Sequence, residues 1–130
     1  MMNFKTLIGL AIFSAMNCVL AQSVDFSAPK DGAVLSSPFK VIFSVSGMEV
    51  SPAGELKPNT GHHHLLINTD GIASGTVIPF DDAHQHFGKG QTETDLSLPP
   101  GKYKLTLQFA NGAHQSYGTQ LSKSIQVTVK

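Results

Sequence analysis

The sequence predicts an all-β protein, an immunoglobulin-like antiparallel β-sandwich, with a small β-barrel as the alternative. Two observations carry this prediction. Apolar residues recur at every second position in several short runs, and clusters rich in Pro, Gly, Asp and Ser separate those runs. In addition, no stretch after residue 21 keeps a helical period.

The elements follow in order. Val24 and Phe26 mark a first short strand, and Pro29-Lys30-Asp31-Gly32 and Ser36-Ser37-Pro38 supply turn chemistry after it. Phe39, Val41, Phe43 and Val45 alternate with Lys40, Ile42 and Ser44 in a strand that ends at Gly47. Gly61 opens a strand through His62-His63-His64-Leu65-Leu66-Ile67. Strand alternation puts His62, His64 and Leu66 on one face and His63, Leu65 and Ile67 on the other. Apolar residues on both faces at its far end read as a central strand. A strand from Gln91 carries Leu96 and Leu98 on one side and Glu93, Asp95 and Ser97 on the other. Pro99-Pro100-Gly101 connects it to Tyr103-Leu105-Leu107-Phe109, whose other face, with Lys102, Lys104, Thr106 and Gln108, reads as a polar outer side. Ile125, Val127 and Val129 form the last strand. The Cys-Trp-Cys pattern of antibody domains is absent, so the core is expected to be aliphatic and Phe-rich. Met48 to Gly61, and Thr69-Asp70-Gly71 to about Gly90, are long irregular segments, and ordered loops of that length carry function more often than not.

Residues 1–21 read as a cleaved signal peptide. Lys5 is followed by an apolar run from Leu7 to Phe13, and Val19-Leu20-Ala21 fits the small-x-small cleavage rule, leaving Gln22 first. The run is shorter than the ~20 apolar residues of a membrane-spanning helix. Residues 22–130 are then a single periplasmic domain that does not contact the membrane after cleavage. Cys18 leaves with the signal. Asn17 before it and Ala15 upstream do not fit a lipidation site, so the mature chain has neither disulfide nor thiolate. Nine lysines, no arginine and nine acids give no net charge, which argues against a nucleic-acid partner.

The six histidines are the chemistry-bearing feature. His62-His63-His64 and His84-Gln85-His86 each place two imidazoles on one face of an extended chain, and His114 stands in a glycine-bounded loop. Neutral imidazole is the commonest ligand for late transition metals, and a set without thiolate suits Cu(II), Zn(II) or Ni(II). All six, His62, His63, His64, His84, His86 and His114, are candidate metal ligands, with His62, His64, His84 and His86 as the central set. Copper is the expected metal and zinc the alternative. Asp81 and Asp82 beside the second cluster suit ring-orienting partners or an ordinary Asx turn. Met48 suits a thioether ligand or core filling. There is no Cys nucleophile and no Gly-x-Ser-x-Gly elbow, and no residue is assigned a catalytic role. The function expected is metal binding, storage or delivery. The rival readings are an interaction module with a periplasmic protein partner, in which the histidines are a structural polar network, and a metal-dependent enzyme.

Several segments resemble a bacterial exported family, the domain-of-unknown-function family 4399. They are Ser27-Ala28-Pro29-Lys30-Asp31-Gly32-Ala33-Val34, Gly47-Met48-Glu49-Val50, Pro52-Ala53-Gly54, Gly61-His62-His63-His64-Leu65-Leu66-Ile67, Ile78-Pro79-Phe80-Asp81-Asp82, His84-Gln85-His86-Phe87-Gly88-Lys89-Gly90-Gln91-Thr92-Glu93-Thr94, Leu98-Pro99-Pro100-Gly101 and Ala110-Asn111-Gly112-Ala113-His114. The resemblance implies export and the β fold, and it implies that all six histidines stand at family pattern positions. It implies no biochemical activity.

Overall fold

Each run of alternating apolar residues becomes a strand, and their apolar sides meet in one interior. The computed structural model describes Gly9 and residues 21–130, so the expected signal segment lies outside the described residues apart from Gly9 and Ala21. The described residues form nine strands: β1 (Ser23–Ala28), β2 (Ala33–Leu35), β3 (Phe39–Ser46), β4 (Glu49–Val50), β5 (Thr60–Ile67), β6 (His84–His86), β7 (Glu93–Leu96), β8 (Gly101–Ala110) and β9 (Ser122–Val129). A 3-10 turn at Thr119–Leu121 precedes β9.

The strands divide into two layers. The smaller sheet has the order β1-β3-β7, and the larger has β2-β9-β8-β5-β4. The larger sheet curls like half a barrel, so the fold joins features of both expected architectures. Most pairings are antiparallel, but β2 runs parallel to β9, and β4 runs parallel to β5. The far edge of β5 is shared: β4 pairs with Thr60 and Gly61, and β6 pairs antiparallel with His64, Leu65 and Leu66. Between the sheets lie Val24, Phe26, Phe39, Val41, Phe43, Leu65, Leu96, Leu105, Leu107, Phe109, Ile125, Val127 and Val129, the aliphatic and Phe core expected.

One face of the large sheet departs from expectation. Thr106 and Gln108, read as solvent-facing, are fully buried. The segments 68–83 and 111–118 fold over this face and form a third layer above β5 and β8. Polar ties hold it there, because buried backbone groups must be paired. Gln108 Oε1 accepts the Ile72 N–H at 2.9 Å, and its Nε2 donates to the Gly118 carbonyl at 3.0 Å. Thr106 Oγ1 donates to the Thr69 carbonyl at 2.8 Å, and Ser116 Oγ donates to the Ile72 carbonyl at 2.7 Å. Leu66, Ile78 and Ala110, with Ile72 against them, form a small apolar cluster beneath the layer. Periodicity alone does not reveal such a cover, since it reports the strand and not what lies upon it.

Gln108 thus ties both covering segments to the sheet. A Gln108→Leu substitution roughly keeps the volume and leaves the Ile72 N–H without its partner, at about 1–3 kcal/mol for a buried group left unpaired, while the Gly118 carbonyl keeps only the Leu121 N–H. The expected outcome is a lower urea midpoint and faster amide exchange concentrated in 68–83 and 111–118. Unchanged exchange in those segments would contradict the assignment.

Candidate metal centre

The alternation of β5 decides which histidines meet. His62 and His64, two residues apart, both point into the covered outer face, with ring centroids 4.5 Å apart. His86 is directly opposite His64 across the β5–β6 pairing, and their ring centroids also lie 4.5 Å apart. His114 arrives from the loop after β8. A turn held by Asn111 carries it: the His114 N–H donates to the Asn111 carbonyl at 2.9 Å, and Asn111 Oδ1 accepts the N–H groups of Ala113 and Gln115. His114 itself has φ of 60°, a left-handed conformation uncommon for residues other than glycine and less so for His. Its carbonyl accepts the Ile78 N–H at 2.9 Å, which locks this loop to segment 68–83. Gly112 is required beside it, since a Cβ there would stand 2.2 Å from the Glu55 carbonyl oxygen.

The result is a knot of ring nitrogens about His114 Nδ1. His62 Nε2 lies 3.0 Å from it, His86 Nδ1 3.2 Å and His64 Nε2 3.3 Å. Contacts on the far sides of two rings set their tautomers. His64 Nδ1–H donates to the Gln108 carbonyl at 3.3 Å, and His86 Nε2–H donates to the Pro79 carbonyl at 2.7 Å. Both rings therefore turn a bare lone pair toward His114. One N–H at most fits well among the contacts at His114 Nδ1, so the others set lone pair against lone pair. A cation resolves this conflict. Among the described residues, His62, His64 and His114 form a group whose ligand nitrogens all lie within 4.8 Å of one another, and this group could hold a metal ion.

The electrostatics match. Burial, with the nearby His114 and His86, lowers the pKa of His62 from 6.5 to about 4. Burial, followed by the neighbouring His62, His86 and His114, lowers that of His64 to about 2. Burial and then His86 also lower His114. These rings are neutral at pH 7, the form that binds metal. The cluster is closed below by β5 and β8 and is topped by Phe80. The Phe80 ring stacks on His86 at 3.8 Å and 9°, and it meets His114 edge-on at 5.1 Å.

The remaining candidates sit elsewhere. His63 points into the sandwich interior, its ring 5.2 Å from Phe43 and 5.1 Å from Phe109, and neither of its nitrogens has a hydrogen-bond partner among the described residues. His84 forms a 2.6 Å contact with Asp81 Oδ1 within a tight turn, and this hydrogen bond is the main cause holding the Asp81 carboxyl below its usual range. Met48 packs against the hydrophobic core. Sequence reasoning did not identify Phe80, the Pro79 carbonyl or the Gln108 carbonyl as parts of the site. The one available signal was an aromatic residue within a long loop, since backbone carbonyls leave no trace in the sequence.

Fold and site together define an all-β protein with a buried histidine cluster able to hold a metal ion. The chain belongs to the family described as Domain of unknown function (DUF4399), whose model matches residues 41–130 and so spans all six histidines. No curated protein matches it. Among solved structures, it is similar to the X-ray structure of the endo-beta-1,4-mannanase from Thermotoga petrophila, with a TM-score of 0.50 and 18% identity, covering 84% of this chain and 20% of that one. The chain thus spans about a fifth of that enzyme, and the likeness is one of fold alone. Among the described residues, no helix is long and apolar enough to cross a membrane.

Two outcomes follow for the metal-free protein. His63→Leu removes two unpaired buried nitrogens and keeps an apolar side chain between Phe43 and Phe109. It is expected to raise stability by about 1 kcal/mol or more without altering metal uptake, and a lower urea midpoint would contradict this placement. The pH dependence has a definite sign. His62, His63 and His64 have folded pKa values below the ordinary 6.5, so between the two values the unfolded chain binds protons that the folded chain does not. Stability is fully present above about pH 6.5 and falls as pH drops toward 4, by several kcal/mol in sum, since each pH unit between the unfolded and folded values is worth about 1.4 kcal/mol for each ring. Urea midpoints measured from pH 7.5 to 4.5 test it, and a flat profile would contradict it.

Proposed function

We propose that this is a periplasmic protein that binds a late transition metal, copper first and zinc second, for storage or delivery. His62, His64 and His114 supply the ligand nitrogens, with His86 beside them. One observation carries the reading. Three imidazole nitrogens crowd within 3.3 Å of a fourth, and the carbonyls of Gln108 and Pro79 fix two of them as acceptors. Hydrogen bonding alone satisfies such a set poorly, whereas a cation can draw on the nitrogens of His62, His64 and His114 together. Outer carbonyls that orient ligating rings are the ordinary support of a metal site.

The ligand type favours copper or zinc. All the donors are imidazoles and the mature chain has no thiolate. In the usual order of divalent affinities, Cu(II) exceeds Zn(II) at a given nitrogen site. The compartment rests on the signal pattern of residues 1–21 and on Gln22 as the mature first residue.

Metal content by mass spectrometry tests the reading, on untagged protein purified from periplasm beside a His62→Ala/His114→Ala double variant. The expected result is a chain beginning at Gln22 that carries close to one equivalent of copper or zinc, and a folded variant that carries none. Native protein without metal, and with none taken up from buffered copper or zinc, would overturn the reading.

A further inference from the structure

His86 is held differently from the other converging histidines. His62 and His64 belong to a central strand and are 0% exposed, and His114 rides on a hydrogen-bonded turn. His86 sits on a three-residue strand and is only partly buried. Its ring is secured from outside, by the Pro79 carbonyl at 2.7 Å and by the Phe80 ring stacked at 3.8 Å. Phe80 is itself 70% exposed. The solvent side of the cluster is therefore the side of His86 and Phe80.

Distance separates His86 from the trio as well. His62, His64 and His114 have ligand nitrogens all within 4.8 Å of one another, and His86 stands outside that set although its Nδ1 is 3.2 Å from His114 Nδ1. Two nitrogens bound to one ion at about 2.0–2.1 Å each lie no more than about 4.2 Å apart. An ion seated on the trio engages His86 only if that ring shifts, and the short edge strand and the 77–83 loop are the parts of the site best able to allow the shift.

We propose, building on the metal-binding reading above, that His86 is an exchangeable fourth ligand. Its ring competes with water or a small monodentate anion for one position on an ion held by His62, His64 and His114, and Phe80 biases that competition toward the ring. The exchange is a plain substitution of lone pairs. His86 Nδ1 leaves the ion, and the anion donates in its place. No electron is transferred, and throughout the exchange Nε2 keeps its hydrogen bond to the Pro79 carbonyl. Three fixed ligands with one exchangeable position are the pattern of metal centres that engage an outside ligand, whereas structural sites close all four positions.

Cobalt(II) is the probe, because its visible spectrum reports coordination, and azide is the competing anion. Wild type is expected to bind one equivalent of cobalt and to show weak azide binding. His86→Ala should still take one equivalent, with azide binding tightened about tenfold, because a ligand that must displace an internal competitor loses affinity in proportion to that competitor's occupancy. Phe80→Ala leaves every ligand in place and should shift azide affinity in the same direction by less, so the test survives a poorly folded His86→Ala protein. His114→Ala should bind no cobalt. If His86→Ala loses cobalt as completely as His114→Ala, His86 is a fixed ligand and the proposal falls while the metal site stands. If azide changes neither the wild-type nor the variant spectra, no exchangeable position exists and the proposal falls in the same way. A wild-type protein that binds no cobalt overturns the metal reading and this proposal together.

Discussion

The crowding of imidazole nitrogens about His114 Nδ1 is the constraint on which the outer half of this molecule depends. In water, four histidines would turn apart and hydrogen-bond to solvent. Here the separations of 3.0, 3.2 and 3.3 Å persist because each ring is held from behind by a strand, a turn or a carbonyl. Such a cluster is tolerable only while its rings stay neutral, because like charges that close repel strongly in a poorly solvated site. Burial lowers the pKa values of His62, His64 and His114 and keeps those rings neutral, and burial requires a cover.

The cover explains features that otherwise look extravagant for a small sandwich. Both faces of β5 and of the second half of β8 are buried, so the outer face needs partners for polar residues that a simple sandwich would leave in solvent. Thr106, Gln108 and Ser116 supply them by bonding to the backbone of the covering segments. The same segments bring Pro79 and Phe80 against His86 and carry His114 in a left-handed conformation. His114 is one of three non-glycine residues with positive φ among the described residues, with Asn59 and Asn68, and the one that belongs to the histidine cluster. His63 is a cost on the opposite face, a buried ring with neither nitrogen partnered among the described residues.

Much of this was legible in the sequence. The period-2 runs marked the strands, and the His62/His64 alternation marked the face they share, because a strand leaves side chains no third direction. The same rule put His63 on the opposite face, yet His63 still stood among the candidate ligands, because alternation does not say which face holds the cluster. His84 was harder to place beside His86. Two residues on one strand face do share a side, but Asp81 in the preceding turn captures His84, and only tertiary contact decides which partner wins. Gln108 and Thr106 were read as solvent-facing because alternation distinguishes the two faces of a strand without showing whether a loop covers the second. His114 could be nominated from sequence, but not placed, since its position depends on Asn111, Gly112 and the Ile78 contact acting together.

The central claim is that one ion sits among His62, His64 and His114. Anomalous diffraction from crystals of the protein loaded with zinc or copper, collected on both sides of the metal absorption edge, tests it most directly. The predicted result is a single strong peak about 2.0–2.1 Å from His62 Nε2, His64 Nε2 and His114 Nδ1. A peak elsewhere on the molecule, or a fully loaded crystal with none in this cluster, would contradict it.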